Sequence, residues 1–461
     1  MMQSASASSL QSVNPTTGAA IATYPAHTAQ DVESRLARAA TTFASWCETP
    51  LPARAERLRA AAAHLRARRD RYARLMTDEM GKPIAQAEAE VDKCAWVCDH
   101  YAEHGEEFLA PEMVATDAAR SYVRFDPLGV VLAIMPWNFP FWQVMRFAAP
   151  ALMAGNVALL KHASNVPGCA LALEEVFTAA GFPPGAFSTL LIGGAAAEAL
   201  VRHPAVAAVT LTGSETAGIA VGTAAGSELK KVVLELGGSD PFVVLADADL
   251  DACVDTAVIA RIINNGQSCI AAKRFIAVAE VVADFESRFA ARLRALAVGD
   301  PRDRATKLGP LARPDLVTDL HRQVTASIAA GARLVTGGHP LPGPGFFYAP
   351  TLLADVHPGM PVFNEETFGP AAALIRAEDE EHAIELANLS RFGLGASLWT
   401  RDVARGEILA RRIEAGAVFV NGMVKSDPRL PFGGVKRSGH GRELARFGLR
   451  EFVNVKSVWV A

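Results

Sequence analysis

The 461-residue sequence has few cysteines, little net charge and no long apolar segment, and each shortage excludes a class of protein. Its six cysteines are scattered without disulfide-framework spacing, which argues against a small disulfide-stabilised secreted protein. A net charge of −4 gives no basic surface for nucleic acid. No segment reaches the ~18 consecutive apolar residues of a membrane span, and the starting segment MMQSASASSLQSVNPTTG lacks the regions of a signal peptide. We therefore predict a cytoplasmic protein that binds neither nucleic acid nor membranes.

The chain does contain enough apolar material for two or three domains, since half of its residues are hydrophobic and 461 residues exceed one core. The pattern is helical from residue 31 to 107 and strand-like from 121 to 136. Strand-like and helical segments then alternate from NVALLK onward, which predicts a parallel sheet with crossover helices. The fold class is therefore α/β, with a Rossmann-like, doubly wound domain. The final EFVNVKSVWV alternates with period 2 and predicts a strand that pairs outside its own subunit.

One cysteine, Cys269, lies in the polar segment NNGQSC, just before a strand-like run. Free cysteines are mostly buried and inert. The amide and hydroxyl side chains of this segment are unsuited to a core, however, and Gly266 permits close backbone approach. On this stretch alone, a buried thiol and a reactive nucleophile are both open. The other five cysteines have no such surroundings and are interpreted as structural thiols.

Three further polar residues stand at the ends of strand-like segments, each with a structural and a functional interpretation. Glu235, in the apolar VVLELGG, is either paired with a buried cation or is a general base with a raised pKa. Asn138, in MPWNFPFW, either caps a loop or donates to an oxyanion. Lys161, at the end of NVALLK, is either a solvated lysine or a ligand-binding residue at the carboxyl edge of a parallel sheet.

The segment VTLTGSETAG predicts a strand that turns into a helix after Gly213, with Ser214 as the helix N-cap. Such a helix N-terminus can bind a pyrophosphate. The spacing from Gly213 to Gly218 matches neither the G-x-G-x-x-G fingerprint nor a Walker A motif. An ordinary strand-to-helix turn is the alternative.

A competing motif lies in the helical segment CAWVCDHYAEH. His100, Glu103 and His104 formally match the H-x-x-E-H pattern of a zinc hydrolase, and Cys94 and Cys98 precede them on the same helix. No third ligand is found at a helical or strand position downstream. A helix with partly exposed histidines is the alternative, and we expect no bound metal.

Seven segments occur in an order and at spacings that resemble those of the NAD(P)-dependent aldehyde dehydrogenase superfamily. They are MPWNFP, LLKHAS, TGSETAG, LELGGSDP, GQSC, NEETFGP and PFGGVKRSGHGRE. Each segment alone is a weak signal, but seven in register are specific, and they cover nearly the whole chain. PWNFPFWQVMR and LLKHASNVPGCA are similar to the bacterial succinate-semialdehyde dehydrogenase branch of this family. The resemblance favours the reactive interpretation of Cys269.

The resemblance implies a catalytic role for three residues. Cys269 corresponds to the nucleophile that forms a thiohemiacetal with the aldehyde and then a thioester. Asn138 and the backbone N–H of Cys269 correspond to the donors that hold the oxyanion. Glu235 corresponds to the general base that activates water against the thioester, so the resemblance implies hydrolysis rather than transfer to coenzyme A.

The resemblance also implies a nicotinamide cofactor. The family's cofactor-binding positions are occupied here by Trp137, Asn138, Lys161, Ser164, Gly213, Ser214, Leu236, Glu366 and Phe368. Many NAD-specific members have a glutamate at the position of Ser164, where it chelates the ribose hydroxyls and repels a 2′-phosphate. Serine does neither, so we expect NADP to be accepted, possibly alongside NAD.

For the substrate, the resemblance implies an aldehyde with a distal carboxylate. Arg146 matches an arginine that succinate-semialdehyde dehydrogenases use to bind this carboxylate, and Ser426 and Phe432 are assigned to the same pocket. A second family arginine is replaced here by Ile263. The candidates for its place are Arg261, Ser426 and Arg429. The alternative for Arg146 is an ordinary helix arginine paired with the scaffold.

The family architecture implies an NAD(P)-binding domain of residues 1–119 and 138–236 and a catalytic domain of residues 237–431. An oligomerisation arm of residues 120–137 and 432–461 then implies a homodimer or a homotetramer. The predicted reaction is the oxidation of a small aldehyde, with succinate semialdehyde as the first candidate. Glutarate semialdehyde, a broad aldehyde specificity, the zinc hydrolase and a catalytically silent paralogue are the alternatives.

Overall fold

The computed structural model describes residues 9–461. Its strands are β1 (Ser9–Val13), β2 (Ala20–Pro25), β3 (Glu112–Met113), β4 (Arg120–Pro127), β5 (Val130–Met135), β6 (Val157–His162), β7 (Phe187–Thr189), β8 (Val206–Thr212), β9 (Lys231–Glu235), β10 (Asp240–Val244), β11 (Ala272–Val278), β12 (Arg333–Thr336), β13 (Thr351–Ala354), β14 (Ala371–Ala377), β15 (Phe392–Gly393), β16 (Gly395–Trp399), β17 (Ala417–Val420), β18 (Val435–Lys436), β19 (Gly439–His440) and β20 (Val453–Val460). Its α-helices are α1 (Ala29–Trp46), α2 (Leu51–Ala67), α3 (Arg69–Met80), α4 (Ile84–Leu109), α5 (Trp142–Ala154), α6 (Pro167–Ala179), α7 (Gly194–Arg202), α8 (Glu215–Ser227), α9 (Leu250–Ile262), α10 (Val282–Arg294), α11 (Pro314–Ala329), α12 (Pro361–Asn364), α13 (Glu380–Asn388), α14 (Val403–Ala410) and α15 (Ala445–Arg450).

The predicted helical region of residues 31–107 consists of the four helices α1 to α4. A capping box between Thr28 and Asp31 starts α1. Gly81, with φ of 77°, ends α3 because glycine adopts the left-handed conformation without strain. Pro83 then precedes the first residue of α4, the long helix that packs against α2 and α5.

The first large sheet has six strands in the order β19-β9-β8-β5-β6-β7. All neighbouring strands are parallel except β19, which is antiparallel to β9. The helices α5 to α8 connect strands β5 to β9 in turn, as the alternation from NVALLK onward predicted. The carboxyl ends of the parallel strands lie along one edge, which brings Trp137, Lys161, Gly213 and Glu235 to the same side of the sheet.

The second large sheet has seven strands in the order β12-β13-β14-β11-β10-β16-β17, all parallel except β12. It has its own buried aromatic cluster, in which the rings of Phe275 and Phe289 lie 4.8 Å apart. Residues 236–239 connect β9 to β10 and so join the two sheets. Cys269 comes just before β11, on the side of the second sheet that faces the first.

The structure assigns parts of the predicted arm to other elements. Strand β4 pairs antiparallel with β20 and with β3, but β5 lies inside the first sheet. The chain changes direction between β4 and β5, where the backbone N–H groups of Leu128 and Gly129 both donate to Asn156 Oδ1, at 2.9 and 3.0 Å. Grouping 120–137 as one segment is therefore wrong for β5. The second predicted arm segment, residues 432–461, is divided in the same way. Strand β19 joins the first sheet and α15 packs on α4 and α5, so only β20 of this segment belongs to the small sheet.

No helix within residues 9–461 combines the length and the apolar composition needed to cross a membrane.

Candidate active site

The backbone before Cys269 is held in an uncommon conformation. After α9, residues 263–266 form a 3-10 turn in which Asn264 and Asn265 have left-handed φ angles of 54° and 59°. This conformation costs a residue other than glycine roughly 1–2 kcal/mol, and asparagine tolerates it better than most. Such strain persists where surrounding contacts fix the backbone, and it is concentrated at functional sites.

Hydrogen bonds between the turn and other parts of the chain provide those contacts. Asn265 Nδ2 donates to the carbonyl oxygens of Gly81, at 2.8 Å, and Pro310, at 2.9 Å. The buried Lys273 Nζ donates to the carbonyl oxygen of Cys269 at 2.6 Å. These hydrogen bonds set the position of the cysteine before any ligand binds.

Two cavities meet at Cys269. The cleft, with a volume of about 210 Å³, lies between the two large sheets, and the funnel, of about 410 Å³, opens on the other side of the cysteine. Cys269 and Gln143 line both cavities. A thiol in this position can contact one ligand in the cleft and a second ligand in the funnel. Gln143 was missed by the sequence analysis, because nothing in its helix α5 marks it.

Burial raises the pKa of the Cys269 thiol to about 12, although the nearby cations Lys273 and Arg146 act in the opposite direction. The thiol is therefore protonated at neutral pH in the free protein. Since the thiolate is the nucleophilic form, a reaction at Cys269 requires removal of this proton.

Asn138 holds a loop and also lines the cleft. Its Nδ2 donates to the carbonyl oxygen of Gln267 at 3.1 Å, and its own carbonyl oxygen accepts from Asn264 Nδ2 at 2.6 Å. The side-chain Nδ2 and the backbone carbonyl of Asn138 thus both fasten the loop that carries Cys269. A carboxamide has two N–H donors, so the second N–H is free to donate to an oxyanion in the cleft, which Asn138 also lines.

Glu235, at the end of β9, is buried beside a second carboxylate. Burial, and then the neighbouring Glu443, raise the pKa of Glu235 well above its usual range, while Arg146 and Arg442 lower it. Neither carboxylate oxygen of Glu235 has a hydrogen-bond partner within residues 9–461. Its Oε1 lies against Gly433, and the side chain lines neither the cleft nor the funnel. Glu235 is therefore a buried acid without a hydrogen-bond partner among the described residues, outside the lining of both cavities.

Arg146, on α5, forms a buried ion pair with Glu443. Its guanidinium carbon lies 4.5 Å from the centre of the Phe432 ring, and Nη2 donates to Thr212 Oγ1 at 3.3 Å. Arg146 lines the funnel, as do Phe432 and Ser426. The structure thus brings the predicted substrate residues together and also gives Arg146 the scaffold partner named as the alternative.

The cleft gathers most of the predicted cofactor residues on its wall. They are Trp137, Asn138, Gly213, Ser214, Leu236, Glu366 and Phe368. Ser214 caps α8, because its hydroxyl accepts from the N–H of Ala217 at 3.3 Å, while the other N–H groups of the first turn have no acceptor within the helix. The Trp137 and Phe368 rings meet edge to face with centres 5.8 Å apart.

Lys161 and Ser164 lie beyond the cleft, at the carboxyl end of β6. Lys161 is half-buried, which lowers its pKa, and it forms no salt bridge with any of residues 9–461. Ser164 is exposed. A cation without a salt bridge and an exposed serine at the end of one strand suit a phosphate group more than a pair of ribose hydroxyls.

The funnel has a basic wall that the sequence analysis did not identify. Four cationic side chains line it, against the single carboxylate of Glu90. They are Lys93, Arg146, Lys307 and Lys425. Glu90 is already paired with the buried Lys82. The remaining walls are largely apolar, with Ile263 among them, so the funnel suits a short carbon chain that ends in an anion.

The histidine motif does not form a metal site in the part of the chain that the structure describes. The rings of His100 and His104 lie 4.8 Å apart on α4, with Phe108 against both. No group of three or more His, Cys, Asp or Glu side chains within residues 9–461 is arranged to hold a metal ion. The zinc-hydrolase alternative therefore has no site among these residues.

Comparison with known proteins assigns the family. The sequence pattern of the aldehyde dehydrogenase family matches residues 1–458. The chain belongs to the aldehyde dehydrogenase family. The resemblance drawn from seven sequence segments is thereby confirmed, and so is the α/β fold that it implied.

Individual aldehyde dehydrogenases are similar over the full length. The chain is 57% identical over 452 residues to the "Probable succinate-semialdehyde dehydrogenase [NADP(+)]" of Synechocystis sp., covering 98% of this chain and 100% of that protein. It is 52% identical to succinate-semialdehyde dehydrogenase [NADP(+)] 1 of Mycobacterium tuberculosis, covering 98% and 100%. The crystal structure of succinic semialdehyde dehydrogenase from Streptococcus pyogenes in complex with NADP+ superposes with a TM-score of 0.96 at 37% identity, covering 98% and 99%.

Proposed function

We propose that this aldehyde dehydrogenase oxidises succinate semialdehyde to succinate with NADP, and that Cys269 is its nucleophile. The observation that carries the proposal is the place of Cys269 on the wall of both cavities. In an oxidation by hydride transfer, the aldehyde carbon must contact both the activating group and the cofactor. Cys269 can bond to an aldehyde in the funnel and hold its carbon next to a cofactor in the cleft.

In the proposed reaction, the thiolate of Cys269 adds to the aldehyde carbon and forms a thiohemiacetal. The free N–H of Asn138 and the backbone N–H of Cys269 stabilise the negative oxygen. Loss of hydride leaves a thioester on the cysteine sulfur. Glu235, once deprotonated, removes a proton from the water that attacks this thioester, and the acid is released. Glu235 is supported as this base because its raised pKa makes the deprotonated carboxylate a stronger proton acceptor than an ordinary glutamate.

The cleft fits a dinucleotide by its chemistry. The N-terminus of α8 behind Gly213 and Ser214 offers unpaired N–H groups to a pyrophosphate. We propose that Lys161 and Ser164 face the 2′-phosphate of NADP and that Glu366 binds the nicotinamide ribose. Glu366 already accepts from the N–H of Gly238 at 2.9 Å, which orients its carboxylate. The bound cofactor supplies the acceptor for the hydride.

The choice of succinate semialdehyde is supported by the charge and the shape of the funnel. Its cations attract an anionic aldehyde, and its apolar walls fit the two methylene groups between the aldehyde and the carboxylate. The relatives in Synechocystis and Mycobacterium carry the same activity in their names, which supports the assignment further. Glutarate semialdehyde, one methylene longer, is the second candidate that this funnel favours.

We further propose that the protein is a cytoplasmic homodimer or homotetramer and that the small sheet of β3, β4 and β20 is its oligomerisation arm. Strand β20 is an edge strand, and its side chains Val455 and Trp459 are 61% and 57% exposed. An exposed apolar edge of this kind is a site for pairing with a second chain. We propose an NAD(P)-binding domain of residues 9–119 and 130–236 and a catalytic domain of residues 237–431. Compared with the division expected from the sequence, β5 moves from the arm to the NAD(P)-binding domain.

The test is the initial rate of reduced-cofactor formation by the purified protein with succinate semialdehyde or propanal, each with NADP or NAD. We expect the highest kcat/KM with succinate semialdehyde and NADP. Equal values for the two aldehydes would contradict the proposed substrate and leave a broad aldehyde dehydrogenase. No rate with any pair would contradict the enzyme assignment and favour the silent paralogue.

A further inference from the structure

The funnel contains a lysine that neither the ion pairs nor the proposed mechanism uses. Lys93, on α4, lies half-buried on the funnel wall with its ammonium 4.2 Å from the centre of the Trp142 ring. Its Nζ donates to Ser426 Oγ at 2.7 Å. It forms no salt bridge with any of residues 9–461, whereas the neighbouring Glu90 is paired with Lys82. Lys93 is therefore a cation in the funnel without an internal counter-ion.

The hydrogen bonds around Ser426 leave its own hydroxyl hydrogen and two N–H groups of Lys93 without an acceptor among the described residues. Ser426 Oγ accepts from Lys93 Nζ and also from Trp142 Nε1, at 3.0 Å. Both acceptor lone pairs of the hydroxyl are then occupied, so its own hydrogen must point elsewhere, and no acceptor among the described residues receives it. Lys93 likewise has three N–H donors and uses one. An ammonium and a hydroxyl with free hydrogens, 2.7 Å apart on an apolar wall, match the two oxygens of a carboxylate.

The other buried cation of the funnel is less available. Arg146 is held by Glu443, and its guanidinium also bonds to Thr212 and stacks on Phe432. A ligand carboxylate beside Arg146 would meet the negative charge of Glu443 as well. Lys307 and Lys425 are exposed, so their attraction for an anion is screened by water.

We propose that Lys93 and Ser426 together bind the distal carboxylate of the substrate, and that Lys93 supplies the positive charge that Ile263 cannot. The proposal rests on the proposed function and deepens it, because it names the residues that distinguish a semialdehyde from a plain aldehyde. Lys93 is then a specificity-determining residue. Trp142 orients Ser426 through its Nε1 and presents an aromatic face to the ammonium.

The test compares Lys93→Gln, Lys93→Arg and the matched rim variant Lys307→Gln with the parent protein. The measurement is the ratio of kcat/KM for succinate semialdehyde to kcat/KM for propanal. We expect Lys93→Gln to lower this ratio about 10- to 100-fold, mainly through KM of the semialdehyde, as the loss of a charge-assisted hydrogen bond requires. Lys93→Arg should retain much of the preference. Lys307→Gln, which removes the same charge at an exposed place, should change the ratio less than about fivefold.

A second measurement separates this proposal from the proposed function. Calorimetric titration of the protein with succinate, and with propionate as the monocarboxylate control, reports carboxylate binding without turnover. We expect Lys93→Gln to weaken succinate binding at least tenfold and to change propionate binding much less. If the parent protein shows no preference for the semialdehyde, the proposed substrate is wrong, and the titration alone decides on Lys93. Undiminished succinate binding by Lys93→Gln, or an unchanged specificity ratio, overturns the assignment of Lys93.

The same titration at several pH values provides an independent readout. Burial and Arg146 lower the pKa of Lys93 to about 8, while Cys94, Glu90 and Asp427 oppose the shift. The ammonium needed for carboxylate binding is therefore lost as the pH rises through 8. We expect succinate affinity to fall between pH 7 and pH 9 in the parent protein and to fall much less in Lys93→Arg. A flat profile in the parent protein contradicts the proposal.

Discussion

Replacing Glu235 by glutamine should separate the two halves of the reaction. Glutamine keeps the shape of the side chain but cannot accept a proton from water. A positioned general base contributes about 10²–10⁴-fold, so steady-state turnover should fall by that factor. Hydride transfer precedes the step that needs Glu235, so the first turnover should survive. We expect a burst of one reduced cofactor per Cys269, followed by a slow steady rate.

The fold of the Glu235→Gln variant should be intact, because glutamine has the same shape and burial already favours the uncharged form of this carboxyl. Burial and Glu443 raise its pKa well above the ordinary value of 4.5. The unfolded chain therefore releases this proton at a lower pH than the folded chain, and the stability of the parent protein falls as the pH rises above 4.5. Glutamine removes this loss. We expect similar Tm values for the two proteins near pH 4.5 and a higher Tm for the variant at pH 8.

The assay is rapid-mixing absorbance of the reduced cofactor with enzyme at substrate-like concentration, together with thermal melts at both pH values. Cys269→Ala is the negative control and should show no burst. Glu378→Gln, an exposed glutamate, is the matched control and should behave as the parent protein. Steady turnover at the parent rate would refute the role of Glu235 in hydrolysis. Loss of the burst would show that Glu235 acts earlier, at the Cys269 proton.

Two further predictions concern the ends of the two ligands. Ser164→Glu should shift the cofactor preference towards NAD, because the new carboxylate repels a 2′-phosphate. We expect kcat/KM with NADP to fall at least about tenfold and kcat/KM with NAD to fall less. An unchanged ratio of the two values would remove Ser164 from the cofactor site. Arg146→Gln should destabilise the fold by about 3–5 kcal/mol in a denaturant titration, because Glu443 is left buried without its counter-ion, and Glu443→Gln in the same chain should restore part of the loss. An Arg146→Gln protein of normal stability with a raised KM for the semialdehyde alone would instead make Arg146 the carboxylate anchor.

Local chemistry made the position of three candidate site residues predictable. Cys269, Asn138 and Ser214 all stand just after a strand or helix ends, and each lies in a short segment with a recognisable spacing. The structure places all three on the cleft wall. The amides before Cys269, which the sequence argued against placing in a core, are nevertheless buried, because backbone groups of neighbouring loops pair with them. The break between β4 and β5 was not predictable, because no local signal marks it. The segment YVRFDPLGVVLAIMP keeps a strand-like pattern across Leu128, and only the tertiary contact with Asn156 shows that the chain enters a different sheet there.

Residues that act through distant partners were not predictable from spacing. Glu443 is 297 positions from Arg146 and belongs to no motif that links them. Lys93 stands in the middle of α4 and meets Ser426 only in the folded chain. A signal for Lys93 existed in the sequence: it stands in the helix between Val91 and Cys94, both of which are fully buried. A lysine beside such a buried stripe needs a reason, but the pattern alone does not say whether the reason is an ion pair or a ligand.

The arrangement of charges around Cys269 follows from the cost of burying them. A cation that binds a substrate carboxylate must be free of internal carboxylates, or the ligand has to break an existing pair to bind. Breaking a buried pair costs about 3–5 kcal/mol, which would consume most of the gain from a new ion pair. Arg146 carries such a pair with Glu443 and lies near Glu235, so its charge acts on the two carboxylates behind the cysteine. Lys93 has no such pair, so a ligand carboxylate can bind there without breaking an ion pair. Of the four cations of the funnel, Arg146 can therefore act on the proton affinity of Glu235, while Lys93 is left free for the proposed substrate carboxylate.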